Sequence, residues 1–220
     1  MRQSAKINHY TLESLRHIAI AGNIGAGKTT LANKLSAHFG WDVLYEDVDH
    51  NPYLSDFYEN MHRWSFNLQI YFLNSRISQI RRIQEGSRTV VQDRTVYEDA
   101  HIFAPNLYEM GLMASRDFEN YHSLFKTVTS LIAPPDLLIY LRASLPALMR
   151  QIRRRGRDYE NNIRQDYLQN LNNHYETWIN NYTDGNLLII NVDDLNFVDS
   201  LADFDTVATA VAQKITQVQL

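Results

Sequence analysis

No cysteine occurs among the 220 residues, which excludes a disulfide scaffold, a thiolate nucleophile and any cysteine-based zinc or iron–sulfur site. Glycine (8) and proline (5) are scarce, so long flexible linkers and collagen-like or low-complexity stretches are ruled out as well. No window approaches the ~18 uninterrupted apolar residues that a membrane span requires. Met1–Arg16 likewise lacks the apolar core of a secretory signal. Positive charge is not in excess, with 21 Lys and Arg against 25 Asp and Glu for a net charge of −4. A general attraction for polyanions is therefore missing, and no nucleic-acid partner is expected. What remains is a soluble chain, expected in the cytoplasm with no membrane partner. Its hydrophobic fraction of 45% and charged fraction of 21% are those of a globular protein. A chain of this length buries a large core as one domain, so residues 1–220 are read as a single unit.

Short apolar runs alternate with longer stretches of helical pattern. The runs His17–Ala21, Asp42–Tyr45, Thr89–Gln92, Asp136–Leu141 and Leu187–Asn191 are rich in Ile, Leu and Val without strict polar alternation. That suits parallel strands covered on both faces. Helices are predicted over Thr29–Phe39, Leu54–Met61, Ser65–Glu85, Tyr97–Glu109, Ser115–Ile132, Leu145–Arg154, Ile163–Asn181 and Phe204–Val218. Five such alternations predict an α/β domain, a five-stranded parallel sheet flanked by helices, with ligands at the carboxyl ends of the strands.

The first strand runs into Gly22-Asn23-Ile24-Gly25-Ala26-Gly27-Lys28-Thr29, followed by Thr30. The spacing G-x-x-x-x-G-K-[ST] between a strand and a helix is that of a phosphate-binding loop. Its backbone N–H groups and the helix N-terminus cradle an anion, Lys28 reaches the outer phosphates, and the Thr29 hydroxyl is placed for Mg²⁺. A nucleoside triphosphate donor follows, while the acceptor is left open.

Other strand ends carry candidates for that acceptor. Glu46 ends the second strand, where a carboxylate serves either as general base or as a solvated capping group. Gln69 and Arg76 lie two turns apart on one helix face beside Leu68, Phe72 and Leu73, an arrangement suited to reading a base edge or to a polar surface stripe. The third strand leads into Asp93 and Arg94; an aspartate in this position holds Mg²⁺ in the manner of a Walker B carboxylate. Asp99 and Phe103 share a helix face, which predicts pairing of Asp99 with Arg76 and stacking of Phe103 on a base. Finally, Arg150–Arg157 carries five arginines around Gly156 after the fourth strand. In a chain with a phosphate loop, this reads as a lid over about residues 151–162, closing on the transferred phosphoryl group, in preference to a basic tail.

Taken together, from His17 to about Phe204, these segments resemble the deoxynucleoside kinases, which include deoxycytidine kinase and the bacterial deoxyadenosine kinases. The resemblance implies a P-loop kinase fold, ATP as phosphoryl donor, Mg²⁺ and a homodimer formed through Tyr97–Glu109 and Ser115–Ile132. It further implies that Glu46 deprotonates the nucleoside 5′-hydroxyl, with Arg94 bracing it and Thr29, Asp93 and Glu46 around the metal. Tyr58 and Glu160 would bind the 3′-hydroxyl. Gln69, Arg76, Asp99 and Phe103 would hold the base in a pocket lined by Val48, Leu54 and Phe72. Arg155 and Arg157 would be the lid arginines, and Asp203 and Phe204 would bracket the adenine of ATP. Departures from the family pattern are Asp47 where proline is common, Thr95 for serine, Leu68 for an aromatic residue, and Gln151 for an arginine whose contact passes to Arg150, Arg153 or Arg154. Retention of both Arg76 and Asp99 argues against thymidine. Deoxyadenosine is the expected substrate, with deoxyguanosine and deoxycytidine as alternatives. A nucleoside monophosphate kinase and a non-catalytic accessory protein of the same fold are more distant rivals.

Overall fold

The computed structural model describes residues 15–46, 50–157 and 163–218. Five parallel strands form its centre: β1 (His17–Gly22), β2 (Asp42–Leu44), β3 (Val90–Asp93), β4 (Leu137–Arg142) and β5 (Asn186–Asn191), in the order β2-β3-β1-β4-β5. The predicted sheet is present, with strand ends shifted by a residue. Between the strands run α1 (Lys28–Phe39), α2 (Leu54–Glu59), α3 (Met61–Glu85), α4 (Val96–Glu98), a π-helical turn (Asp99–Phe103), α5 (Ala104–Glu109), α6 (Ser115–Thr129), α7 (Leu145–Arg155), α8 (Gln165–Asn180) and α9 (Leu201–Val218).

Burial on both faces explains the apolar strands. In β1 every side chain is buried, and the strand pleat sends alternate residues to opposite cores. Ile18 and Ile20 pack with Leu31, Leu35, Val207 and Val211 of α1 and α9. Ala19 and Ala21 face the other way, toward Leu68, Phe72, Leu171 and Tyr175 of α3 and α8. Each buried Ile contributes about 1.5–3 kcal/mol. The two alanines leave room for large aromatic side chains beneath the site.

Three predicted elements differ. Asn60 ends α2 and its side chain caps α3 by accepting from Arg63 N at 3.1 Å, so the long helix starts at Met61 rather than Ser65. The stretch predicted as one helix from Tyr97 contains the π turn at Asp99–Phe103. Helix α9 starts at Leu201, not Phe204, because the Ser200 hydroxyl accepts from Asp203 N at 3.2 Å. Among the described residues no helix is long and apolar enough to cross a membrane.

Topology decides what meets at the carboxyl edge. β1 lies between β3 and β4, so the loop after β1 has the end of β3 on one side and the start of α7 on the other. β2 puts Glu46 next to the end of β3.

Candidate active site

The phosphate loop is shaped by its glycines and held from behind. Gly25 and Gly27 have φ of 87° and 92°, values that side chains rarely adopt. A Cβ on Gly25 would also come within 2.9 Å of the Leu148 carbonyl, and one on Gly27 within 2.9 Å of the Phe197 ring. Buried Asn23 pins the loop to α8, donating from Nδ2 to the Leu168 carbonyl at 3.1 Å and to Asn172 Oδ1 at 2.9 Å, while its Oδ1 accepts from Ile24 N. Lys28 Nζ donates to the carbonyls of Gly22 (2.9 Å) and Asn23 (3.2 Å). Burial, with Arg94 nearby, lowers the Lys28 ammonium to about 8.

Beside the loop, Thr29 Oγ1 donates to Asp93 Oδ2 at 2.5 Å. The other Asp93 oxygen is buried without a hydrogen-bond partner among the described residues, and burial raises the pKa of the carboxyl. An orphaned carboxylate oxygen next to a hydroxyl suits a hard cation whose other ligands are water and phosphate oxygens. Among the described residues no three or more His, Asp or Glu side chains cluster for a metal, so Thr29 and Asp93 would hold Mg²⁺ only together with such ligands.

Arg94 is the centre of the site. It is the only non-glycine residue with positive φ (73°) among those described, a strain of roughly 1–3 kcal/mol that the surroundings must hold in place. Its guanidinium makes the compensating contacts. Nε lies 3.1 Å from Glu46 Oε1, Nη1 3.5 Å from Glu98 Oε1 and 3.0 Å from the Tyr175 hydroxyl, and the group lies 4.6 Å over the Phe103 ring. Glu98 and Tyr175 tie this centre to the phosphate loop. Glu98 accepts from Gly22 N at 3.2 Å and, completing a capping box, from Thr95 N at 2.7 Å. The Tyr175 hydroxyl lies 2.7 Å from Glu98 Oε1 and 2.9 Å from the Gly22 carbonyl. The motif T-x-x-E was a legible sign of Glu98; nothing in the sequence pointed to Tyr175.

The predicted pairing across helices is present. Arg76 binds Asp99 through Nε and Nη2 and reaches Glu46 Oε1 from Nη2 at 2.9 Å, with the Phe72 ring 4.9 Å below it. Burial would raise the Glu46 carboxyl, but Arg94, Arg76 and Lys28 together hold it down at about 2. Burial pushes Asp99 up to about 6, with Arg76 pulling against it.

One cavity of about 1280 Å³ joins these groups. That exceeds the usual ~300–1,000 Å³ of a single-ligand pocket, leaving room for a donor and an acceptor. Lining it are loop residues Ile24–Thr30, then Glu46, Leu54, Tyr58, Gln69, Phe72, Asp93, Arg94, Asp99 and Phe103, and Arg150, Arg154, Arg155 and Arg157. Arg76 lies beneath its wall. Gln69 Oε1 is buried there without a partner among the described residues. Arg153 is not part of the lining, and Arg154 is bound to Asp199 at 2.9 Å. Gly156 ends α7 in a left-handed conformation, φ 66°. Val48 and Glu160 lie outside the described residues.

Asp203 and Phe204 do not line the cavity, contrary to expectation. Phe204 is a core residue beneath Lys34 and His38, and Asp203 Oδ2 accepts from Asn196 N at 2.8 Å. Because α9 begins earlier than predicted, the loop facing the donor end is residues 192–198 instead. Its place after β5, where ligands meet a parallel sheet, is a signal the sequence carries. Phe57, Gln79 and Tyr167 also line the cavity, with no motif in the sequence to mark them.

Comparison with known proteins agrees with this geometry. The sequence model of one family, described as deoxynucleoside kinase, matches residues 18–216. A deoxyadenosine/deoxycytidine kinase of Bacillus subtilis is 36% identical over 200 residues, covering 90% of this chain and 92% of the relative. A deoxyguanosine kinase of the same organism is 35% identical over 202 residues, covering 90% and 97%. The solved structure of a deoxyadenosine kinase from M. mycoides, with products dCMP and a flexible dCDP bound, superposes with a TM-score of 0.80 at 29% identity, covering 89% of this chain and 98% of that one.

Proposed function

This chain belongs to the deoxynucleoside kinase family and is a phosphotransferase acting on deoxynucleosides, and we propose that its preferred acceptor is the 5′-hydroxyl of deoxyadenosine, with ATP and Mg²⁺ on the donor side. The observation carrying this choice is the buried, unpartnered Gln69 Oε1 beside the Arg76–Asp99 pair. An acceptor buried without a partner calls for a donor, and the exocyclic amino groups of adenine and cytosine supply one. Guanine presents a carbonyl oxygen at the corresponding edge and would require the amide to turn over. Adenine's larger ring system also stacks over a wider area of the Phe103 plane.

The chemistry is mostly positioning and charge neutralisation. Lys28 and the loop N–H groups take the phosphates, and Arg155 and Arg157 neutralise the transferred phosphoryl oxygens. Thr29 and Asp93, with Glu46 nearby, would hold Mg²⁺, which would supply positive charge to offset that of the phosphates. Glu46 accepts the hydrogen bond of the 5′-hydroxyl and takes its proton as the bond from the 5′-oxygen to the γ-phosphorus forms and the bond from that phosphorus to ADP breaks, ADP leaving with the electron pair; Arg94 holds Glu46 in place. Tyr58 and Glu160 recognise the 3′-hydroxyl. A phosphorylated acceptor is disfavoured, since Arg76 and Arg94 are already paired with carboxylates. For a homodimer through Tyr97–Glu109 and Ser115–Ile132, the support is exposed Tyr108, Leu124 and Leu131.

A competition assay with all four deoxynucleosides and ATP tests the substrate choice. The expected order of kcat/KM puts deoxyadenosine first and thymidine last; a higher value for deoxyguanosine would overturn the Gln69 argument.

A further inference from the structure

Tyr45 is the first residue beyond β2, and its carbonyl group leads directly into Glu46. That carbonyl accepts from Gln79 Nε2 at 2.7 Å. Gln79 follows Arg76 by one turn of α3, on the same face. Arg76 holds the Glu46 carboxylate at 2.9 Å, so one helix face grips the residue through its side chain and through the backbone just before it. The grip matters because β2 is a half-buried, three-residue strand at the sheet edge. Two arginines fix the carboxylate atoms but do not by themselves fix the chain that carries them.

The contact continues inward. Gln92 Nε2 donates to Gln79 Oε1 at 2.9 Å, and His17 Nε2 lies 2.8 Å from Gln92 Oε1. Gln92 and His17 are buried in the sheet. Elementary bonding capacity forces the direction of every bond. A carbonyl oxygen only accepts, so Gln79 must present its nitrogen to Tyr45 and its oxygen to Gln92. Gln92 must then present its own nitrogen outward and its oxygen to His17, which has to donate from Nε2. Three donors aligned in one direction polarise one another in a low-dielectric interior. Burial lowers the His17 pKa, which agrees with a neutral ring carrying its proton on Nε2.

We propose that His17, Gln92 and Gln79 form a one-way hydrogen-bond relay that fixes the Tyr45 backbone and thereby the position of Glu46. They are positioning residues for phosphoryl transfer, and the proposal rests on the reading of Glu46 as the group that receives the hydroxyl proton. Since a shift near 1 Å costs up to about 10²-fold in rate, loosening the relay is expected to cost about tenfold.

Steady-state kinetics of relay variants test this. Gln79→Met keeps the length and removes the donor; its kcat should fall about tenfold while KM for ATP stays within about twofold. Gln92→Met, which does not touch Tyr45, should also lower kcat, whereas Gln79→Lys restores a donor to the Tyr45 carbonyl but no acceptor for Gln92, and should recover part of the loss. A kcat within about twofold of the parent for Gln79→Met, or no recovery in Gln79→Lys relative to it, would overturn the relay. If Gln79→Met does not fold, the pair Gln79→Lys and Gln79→Glu decides alone, since only lysine can donate; equal kcat values overturn the proposal. Glu46→Gln is measured alongside. Full turnover there removes the base reading itself, while an inactive Glu46→Gln with parental relay variants removes only the relay.

Discussion

Glu46 sets the terms at the residue scale. A carboxyl held at about 2 is a poor base toward a free alcohol, and efficient general bases sit nearer the working pH. In a loose phosphoryl-transfer transition state, however, the hydroxyl loses its proton late, when the forming bond has made it acidic, so orientation counts for more than basicity. Glu46→Gln keeps the shape and loses the proton acceptor. Its kcat is expected to fall by about 10²- to 10⁴-fold with deoxynucleoside affinity nearly unchanged, measured by equilibrium binding; parental turnover would remove Glu46 from this role. Tyr175 makes a different prediction. Its hydroxyl is the shared partner of Arg94, Glu98 and the Gly22 carbonyl, so Tyr175→Phe leaves buried polar groups unpaired. Urea denaturation should show a loss of about 1–3 kcal/mol, together with a raised KM for ATP. An unchanged midpoint would show that Tyr175 does not brace the loop.

Two elements carry the specificity and the arginines. The π turn at Asp99–Phe103 lets Asp99 pair with Arg76 while Phe103 lies under Arg94, with His101 stacked on Trp178 6.0 Å away. Replacing Asp99 with Ala and Arg76 with Met removes the charged pair as a unit. The double variant is expected to gain activity toward thymidine relative to deoxyadenosine, and an unaltered substrate profile would contradict the base-pocket assignment. Helix α7 brings Arg150, Arg154 and Arg155 to the cavity and ends on Gly156 at φ 66°. Among the described residues a Cβ there meets nothing within 4 Å, so Gly156→Ala should cost only the left-handed conformational penalty of about 1–2 kcal/mol. Thermal denaturation checks it.

Across the whole molecule, a net charge of −4 conceals a segregated arrangement. Lys28, Arg94, Arg155 and Arg157 converge on one cavity, and buried carboxylates balance those that are buried. That balance sets the expected pH profile. Asp99 titrates from about 6 and Lys28 from about 8. Below the first value a protonated Asp99 loses part of its hold on Arg76; above the second a neutral Lys28 no longer attracts phosphate. The profile of kcat/KM should therefore form a plateau between them, with Glu46, ionised far below pH 6, adding no acid limb. Asp99→Asn should flatten the acid side, and an unaltered acid limb in that variant would refute the assignment.

Much of this was legible in the chain itself, because strands buried on both faces must be apolar throughout and a phosphate loop must have its glycines, lysine and hydroxyl in fixed order. Those requirements are local, and they determined the fold class, the loop, and the placing of Glu46, Asp93 and Arg94 at strand ends. The tertiary structure alone decided which distant side chains meet. Tyr175 reaches Gly22 from α8, Gln79 reaches the Tyr45 carbonyl, and Phe204 turns into the core once a serine cap starts α9 three residues early. Hydrogen bonds between residues far apart in sequence leave no periodic trace, so only the folded chain reveals how the carboxylate at the centre of the site is held.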